Sequence, residues 1–474
     1  MLYYMVGFGV IFIALFVVLP PRYKALIALV LMTNGFDMTP SVMAGWITWD
    51  YGAVLLLITG IHVFLLKRRE PLKDQYPLFA KILLLFWLWL FIPLGWSLLI
   101  YQYPIAGTIK YSRHMIVGYL SFFIFLRLFQ VDPTSLRKML QGLYVVTYML
   151  LVISVIQFFL RKQILFGLYR DYASITRFVP IMLPFCLLRV WYVLSNALTG
   201  QPVKKHEIAY SALAMSVLVM TFTRGLYLAA LATMVAAAGL LFLEKRLSGR
   251  GAVVTLMAAI TVLAVAGFSG GLDLAAARFK SGIDLVTAGP IQKFGYDVDT
   301  FSGRLRVAQE RMEMSAQLNP IVGYGFLNED NVTQRLRNSL RYGSIIYSPE
   351  MVRAYRYGHP YVLALHTADI SWGDLVLNTG FIGLFLFTLV VFALFANYFL
   401  VRKVAVPEYQ HLRLAFLLGT LYILLITLNS NSIVVNVQIF AFMLAGYAYT
   451  SAVQVPQHQR PLVSSKARSS LKAA

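Results

Sequence analysis

Residues 208–243 read IAYSALAMSVLVMTFTRGLYLAALATMVAAAGLLFL, and this stretch decides the class of protein. Two apolar runs, 208–222 and 226–243, flank a single cation, Arg224. The second run has the length of a bilayer crossing, about 17–25 residues; the first is shorter. An arginine at bilayer depth costs roughly 2.5–3.5 kcal/mol on insertion scales, so such a residue usually lines a cavity and serves a function. The plainer reading is a snorkelling arginine at the tip of a hairpin. Gly225, directly after it, allows a backbone break from which the guanidinium could point inward.

The rest of the chain agrees with a membrane setting. Of 474 residues, 59% are hydrophobic, 14% aromatic and 13% charged, and the mean hydropathy is +0.70. Globular proteins use roughly 45–50% apolar and about 25% charged residues. A water-soluble domain of this composition would lack the polar residues to cover its surface, so the excess must face lipid. Apolar stretches predict thirteen crossings, near 2–19, 24–41, 51–66, 78–100, 115–130, 141–160, 174–196, 208–222, 226–243, 251–268, 372–400, 412–428 and 432–452. The second and eighth are short or interrupted and could be re-entrant. The first run lacks a basic leader and a small-residue cleavage site, so no cleavable signal is expected. One cysteine, Cys186, excludes a disulfide framework and a thiolate metal cluster.

The net charge of +21 would point to nucleic acid in a soluble protein; here it reports topology. Alternate loops and the C-terminal tail hold twenty-one cations, among them Lys67, Arg68, Arg69, Lys204, Lys205, Lys245 and Arg246. The other short connections hold seven: Lys110, Arg113, Arg161, Lys162, Arg170, Arg177 and Arg224. The richer set is read as cytoplasmic. Residues 269–371 and the loops with Arg177 and Arg224 then face outward, and the odd span count puts the N-terminus outside.

Four parts follow: a bundle over 1–268, an outer loop over 269–371, further spans over 372–452 and a basic, disordered cytoplasmic tail over 453–474. The fold class is all-α, a polytopic integral membrane protein with twelve or thirteen transmembrane helices and one large, mainly helical loop. A hundred residues exceed a plain linker. Ser302 can cap a helix in which Leu305, Ala308 and Met312 share a face, and Pro320, Gly323 and Gly325 break it. The loop carries nine arginines, including Arg304, Arg306 and Arg311, against two lysines. Arginine's planar fork suits bidentate phosphate binding, although about half of these are expected to be structural or solvated. His359, His366 and Asp369 fall near one face if their stretch is helical, where a carboxylate can orient an imidazole as general base. An interfacial anchoring role competes with that reading, and no tight spacing favours metal. Asp297-Val-Asp299 and Asn331-Val-Thr333 are chance-level matches, and no Walker A or dinucleotide fingerprint occurs.

Three segments together resemble the bacterial O-antigen ligase and polymerase superfamily. Thr221-Phe-Thr-Arg224-Gly resembles its T-x-S-R-G element. Ser302-Gly-Arg304, followed by Asn319-Pro-Ile-Val-Gly323-Tyr-Gly325, resembles its SGR and P-L-x-G-x-G elements. Asp374-Leu-Val-Leu-Asn-Thr-Gly380-Phe-Ile-Gly383 resembles the opening of the span after the large loop. The resemblance covers roughly residues 170–400 and implies a periplasm-facing glycosyltransferase of the bacterial inner membrane, working without metal, cofactor or nucleotide. Its donor would be an undecaprenyl-pyrophosphate-linked glycan, and its acceptor a glycan or lipid hydroxyl. Arg224 and Arg304 would bind the pyrophosphate, with Arg177 and Arg306 completing the cluster. The family's usual histidine position is Asp369 here, with His366 one turn earlier, so either would act as base. That departure favours a repeat-unit polymerase for surface polysaccharide over a ligase to lipid A core. A flippase and a chain-length regulator are the implied partners. A secondary transporter or lipid-glycan flippase is the alternative of another class; few internal acids and a single long loop argue against it.

Overall fold

Long apolar runs have no polar stripe to turn toward water, and with every backbone group paired internally they form helices that bury against one another or face lipid. The computed structural model describes residues 18–33, 42–66, 77–103, 105–160, 168–172, 175–221, 223–249, 251, 253, 308, 311–312, 315–316, 319–326, 341–342, 345–346, 371–401, 407–427 and 437–452. Among them the regular structure is helical apart from two short antiparallel hairpins, and turns and short connections join the elements.

The helices are α1 (Pro21–Met32), α2 (Val42–Ile61), α3 (Leu78–Trp89), α4 (Phe91–Leu99), α5 (Ile105–Val131), α6 (Thr134–Leu160), α7 (Leu183–Leu198), α8 (Lys205–Met220), α9 (Arg224–Leu243), α10 (Ser371–Leu400), α11 (Pro407–Ile426) and α12 (Val437–Ala452). The hairpins are β1–β2 (Leu168–Tyr172, Ile175–Val179) and β3–β4 (Arg341–Tyr342, Ile345–Ile346). Six helical stretches are long and apolar enough to cross a membrane: 78–99, 105–131, 134–160, 225–243, 371–400 and 409–426. Shorter apolar helices cover 49–65, 183–198 and 437–452. The expected crossings at 2–19 and 251–268, and the tail beyond 452, lie outside the described residues apart from single positions.

Several boundaries differ from the hydropathy reading. The crossing expected at 174–196 opens on strand β2, Ile175–Val179, and its helix, α7, starts only at Leu183; the β-branched Ile175, Thr176 and Val179 favour the strand. The crossing expected at 115–130 belongs to α5, which starts ten residues earlier at Ile105. Lys110 and Arg113 end the apolar run but are good helix formers, so the helix continues through them. At 1.5 Å per residue α5 is about 40 Å long, some 10 Å more than a hydrocarbon core needs. The crossing near 78–100 is divided at Leu90 into α3 and α4, where Pro93 has no amide to offer the Trp89 carbonyl one turn back.

Helix α12 occupies the centre. Residues Val437 to Thr450 are buried without interruption, between α5 and α11. Its Gln438 amide donates to the Met32 carbonyl at 2.8 Å, tying the last helix to the first described one. Helix α10 lies along α3, and α11 along α7 and α9. The outward faces are apolar: Leu85, Leu99, Met149, Val235, Phe385 and Phe392 are exposed. Only 33% of the most apolar part of α6 is buried within the protein, so its remaining surface needs an apolar surrounding.

The bundle has two chemically different ends. The start of α5, the turn 319–326 and the start of α10 meet at one, called here the motif end. At the opposite end Asp132 caps the start of α6, accepting from the Thr134 amide at 3.1 Å and the Ser135 hydroxyl at 2.7 Å. Burial alone would raise the Asp132 carboxyl, but the Ser135 and Thr134 hydrogen bonds and the Arg22 charge outweigh it and hold the group below its ordinary range. Arg413 donates to the carbonyls of Val401 and Tyr398, closing the C-terminus of α10.

Candidate functional site

Two of the three segments that resemble family motifs dock onto each other. Asn319 starts a tight turn: its side-chain oxygen accepts from the amides of Ile321 (3.1 Å) and Val322 (3.3 Å), and its carbonyl from Gly323 (2.7 Å). The turn enters a break in α10 at Gly380, which adopts φ 67° and ψ −173°. An unbroken helix would bond the Phe381 amide to the Leu377 carbonyl. Here Leu377 accepts from the Tyr324 amide at 2.8 Å and Phe381 donates to Pro320 at 2.9 Å. One internal bond is exchanged for two between segments, which is how a helix can be interrupted away from water without orphaned groups. Glycine is required on both sides. A Cβ on Gly323 would stand 2.5 Å from the Leu377 carbonyl oxygen, and one on Gly380 2.0 Å from that of Ile321.

Aromatic side chains from the α4–α5 connection hold the turn from beneath. The Tyr101 hydroxyl donates to Gly323 at 2.8 Å and that of Tyr103 to Tyr324 at 3.0 Å. The Phe326 amide donates to the Ser97 hydroxyl at 2.8 Å. Burial pushes the Tyr101 phenol above its ordinary value, against hydrogen bonds with Asn319 and Trp96 that lower it. Tyr103 and Tyr324 are raised too, chiefly by burial. The Tyr101 and Tyr103 hydroxyls therefore stay neutral donors.

Before the turn, positions 308, 311–312 and 315–316 are helical. Ala308, Arg311 and Ser315 are buried, so the expected helix is present at the described positions, and Ala308 lies on its buried face. Arg311 ends on Asp374 of α10 at 2.5 Å, with side chains only 1% and 5% exposed. Gly373 leaves the room: a Cβ there would meet Ala308 and Arg311 at 3.1–3.5 Å. Tyr111 of α5 lies within electrostatic reach of both charges and beside Asn378, one turn after Asp374. This arginine of the loop is therefore structural, and it was not legible as such: Asp374, an acid entering an apolar span, was the signal that a buried partner had to exist.

A second polar group sits on α5 at the same end. Arg113 pairs with Asp50 of α2 and lies over the Trp49 ring at 5.1 Å. The ring of His114 is 4.2 Å from that of Trp49. Lys110 adds its charge within reach of His114. Lys110 and Arg113 entered the sequence reading only as loop cations; their spacing of three on a helix was the overlooked sign of a shared face.

Arg224 is the first residue of α9, at the tip of the α8–α9 hairpin and at the motif end. The break expected at Gly225 lies earlier: Gly225 is helical, and the turn is made by Thr221 and Thr223. The Thr223 hydroxyl donates to the Thr221 carbonyl at 3.0 Å and the Thr223 amide to the Thr221 hydroxyl at 3.3 Å. Short hydroxyl side chains that satisfy the backbone locally end the helix where glycine's freedom is not needed. Arg177 is on β2, its Cα opposite that of Arg170, and β2 touches α6 and α8. The structure thus brings the strand of Arg177 to the helix that leads to Arg224. Arg304, Arg306, His359, His366 and Asp369 lie outside the described residues.

Compared with known protein-family models and with curated proteins, the chain matches none. What the arrangement offers chemically is a cationic rim, with Lys110, Arg113 and the backbone positions of Arg177 and Arg224 around one end of an apolar bundle. At the same end lie the docked turn and the buried Arg311–Asp374 pair.

Proposed function

We propose that this protein is a membrane-embedded glycosyltransferase that takes a glycan from an undecaprenyl-pyrophosphate carrier at the periplasmic face of a bacterial inner membrane. A repeat-unit polymerase for O-antigen or exopolysaccharide is the preferred form. The supporting observation is the docking of the 319–325 turn into the break of α10 at Gly380. Segments chosen for their likeness to family motifs, fifty residues apart, make one hydrogen-bonded unit. Nothing in composition requires that.

In this reading Arg224, Arg304, Arg177 and Arg306 neutralise the leaving pyrophosphate, whose charge grows as the glycosidic bond breaks. Asp369 or His366 takes the proton of the acceptor hydroxyl. The anomeric carbon gains the acceptor oxygen and loses the phosphate oxygen, so atoms and charge balance without metal or nucleotide. The exposed apolar faces of the helices give an isoprenoid tail an approach from the lipid side.

Reconstitution of the full chain with an undecaprenyl-pyrophosphate oligosaccharide tests it. Lengthened lipid-linked glycan is expected. Transfer to lipid A core would make the protein a ligase, and movement of the substrate across the bilayer without a new bond would overturn both forms.

A further inference from the structure

We propose that the opposite end of the bundle binds the phosphate of an anionic glycerophospholipid at Arg189. A cavity of about 40 Å³ opens between α6, α7, α8 and α11, lined in part by Leu143, Tyr144, Thr147, Arg189, Tyr192 and Tyr210. That is roughly three times the smallest void that holds one water, and it is open on one side, so a lipid headgroup can reach it. The Thr147 and Tyr210 hydroxyls of its lining are hydrogen-bonded to each other, 2.7 Å apart.

Arg189 is held but not used up. It bonds to the buried carboxylate of Glu207, and its guanidinium lies 5.5 Å from the Tyr144 ring centre and 5.0 Å from that of Tyr192. The Glu207 bond and the rings fix the plane of the fork. Its Nε is buried and makes no hydrogen bond among the described residues, and a buried N–H without an acceptor calls for one. Arg189 lines the cavity, and a phosphate entering it can meet the fork in the bidentate geometry that arginine favours once the side chain turns its Nε toward it.

The surroundings select a lipid. Glu207 follows Lys204 and Lys205 by less than one turn, and both lysines are exposed. Arg189 and Glu207 cancel, so the lysines set the sign and favour a net anionic headgroup over a zwitterionic one. Val145, Tyr148 and Met149 of α6 and Ile208 of α8 are exposed beside the cavity, an apolar path for acyl chains. Tyr148 stands 6.4 Å from the Tyr210 ring, and tyrosines with one apolar and one wet side gather at headgroup depth. The site requires only that the helices cross a bilayer, and is independent of glycosyl transfer.

Native mass spectrometry of the full-length protein, titrated with phosphatidylglycerol, phosphatidylcholine or inorganic phosphate, reads the site without any donor substrate. One phosphatidylglycerol should be retained, at least ten-fold more tightly than phosphatidylcholine. Arg189→Lys keeps the charge and the Glu207 partner and should weaken retention about ten-fold, as should the charge-neutral pair Arg189→Gln with Glu207→Gln. Lys245→Gln, an exposed cation away from the cavity, should leave it unchanged. Equal retention by the variants, equal binding of phosphatidylcholine, or displacement by an equal concentration of inorganic phosphate would each overturn the proposal.

Discussion

The Gly380 Cα lies so close to the Ile321 carbonyl oxygen that an added Cβ would stand 2.0 Å from it. Helix α10 and the preceding turn are thus built around one missing side chain. With φ 67° and ψ −173°, position 380 also occupies a region essentially closed to other residues. Gly380→Ala should lower stability by about 3 kcal/mol, read as a fall in the thermal unfolding temperature in detergent. An unchanged temperature would mean that the turn does not occupy the break.

The Arg311–Asp374 pair joins the same two segments through side chains. Removing one partner leaves a buried charge, so Arg311→Ala should cost roughly 3–5 kcal/mol. Asp374→Leu combined with Arg311→Met should recover more than half of that loss, since matched apolar residues often replace a buried pair at little cost. If single and double variants unfold together, the pair is not what anchors the segment before the turn.

Arg224→Lys separates a fork from a point charge. Product formation with a polyprenyl-pyrophosphate donor should drop by roughly a hundred-fold or more, while expression and unfolding temperature stay as in the wild type. Near-normal turnover would remove Arg224 from the leaving group.

Asp132 makes stability depend on pH. Its folded-state carboxyl lies below the ordinary value, so its contribution is present above the unfolded pKa, near 3.9, and disappears as pH falls through the lower folded value. The wild type should unfold at a higher temperature than Asp132→Asn at pH 6, and the two curves should converge as pH falls through the folded-state value of the carboxyl. A constant difference across that window would assign the stabilisation to something other than the carboxylate.

How much could be read in advance differs by element. The 141–160 and 226–243 runs announced α6 and α9 because apolar length suffices for a bilayer-long helix, although α6 starts seven residues earlier, at Thr134. The weak second and eighth crossings correspond to α1, of 12 residues, and α8, of 16. The position of Arg224 at a hairpin tip followed from two flanking runs, but the residues that turn the chain were misjudged. Glycine is the stronger signal in sequence, whereas hydroxyls that bond to their own backbone show only in geometry. Arg311 could not be told from the other loop arginines, because what distinguishes it is a carboxylate 63 positions away.

Composition and the spacing of apolar runs fixed by themselves that this chain is helical, with helices long and apolar enough to cross a membrane. Those properties are sums over local residues, and burial energy depends on area alone. Only the tertiary structure decided that 319–325 fills the gap at Gly380, that Arg311 belongs to Asp374 and that Arg189 keeps an unused donor. Hydrogen bonds and ion pairs act over about 3 Å between groups distant in the chain, and distance is not written in the order of residues.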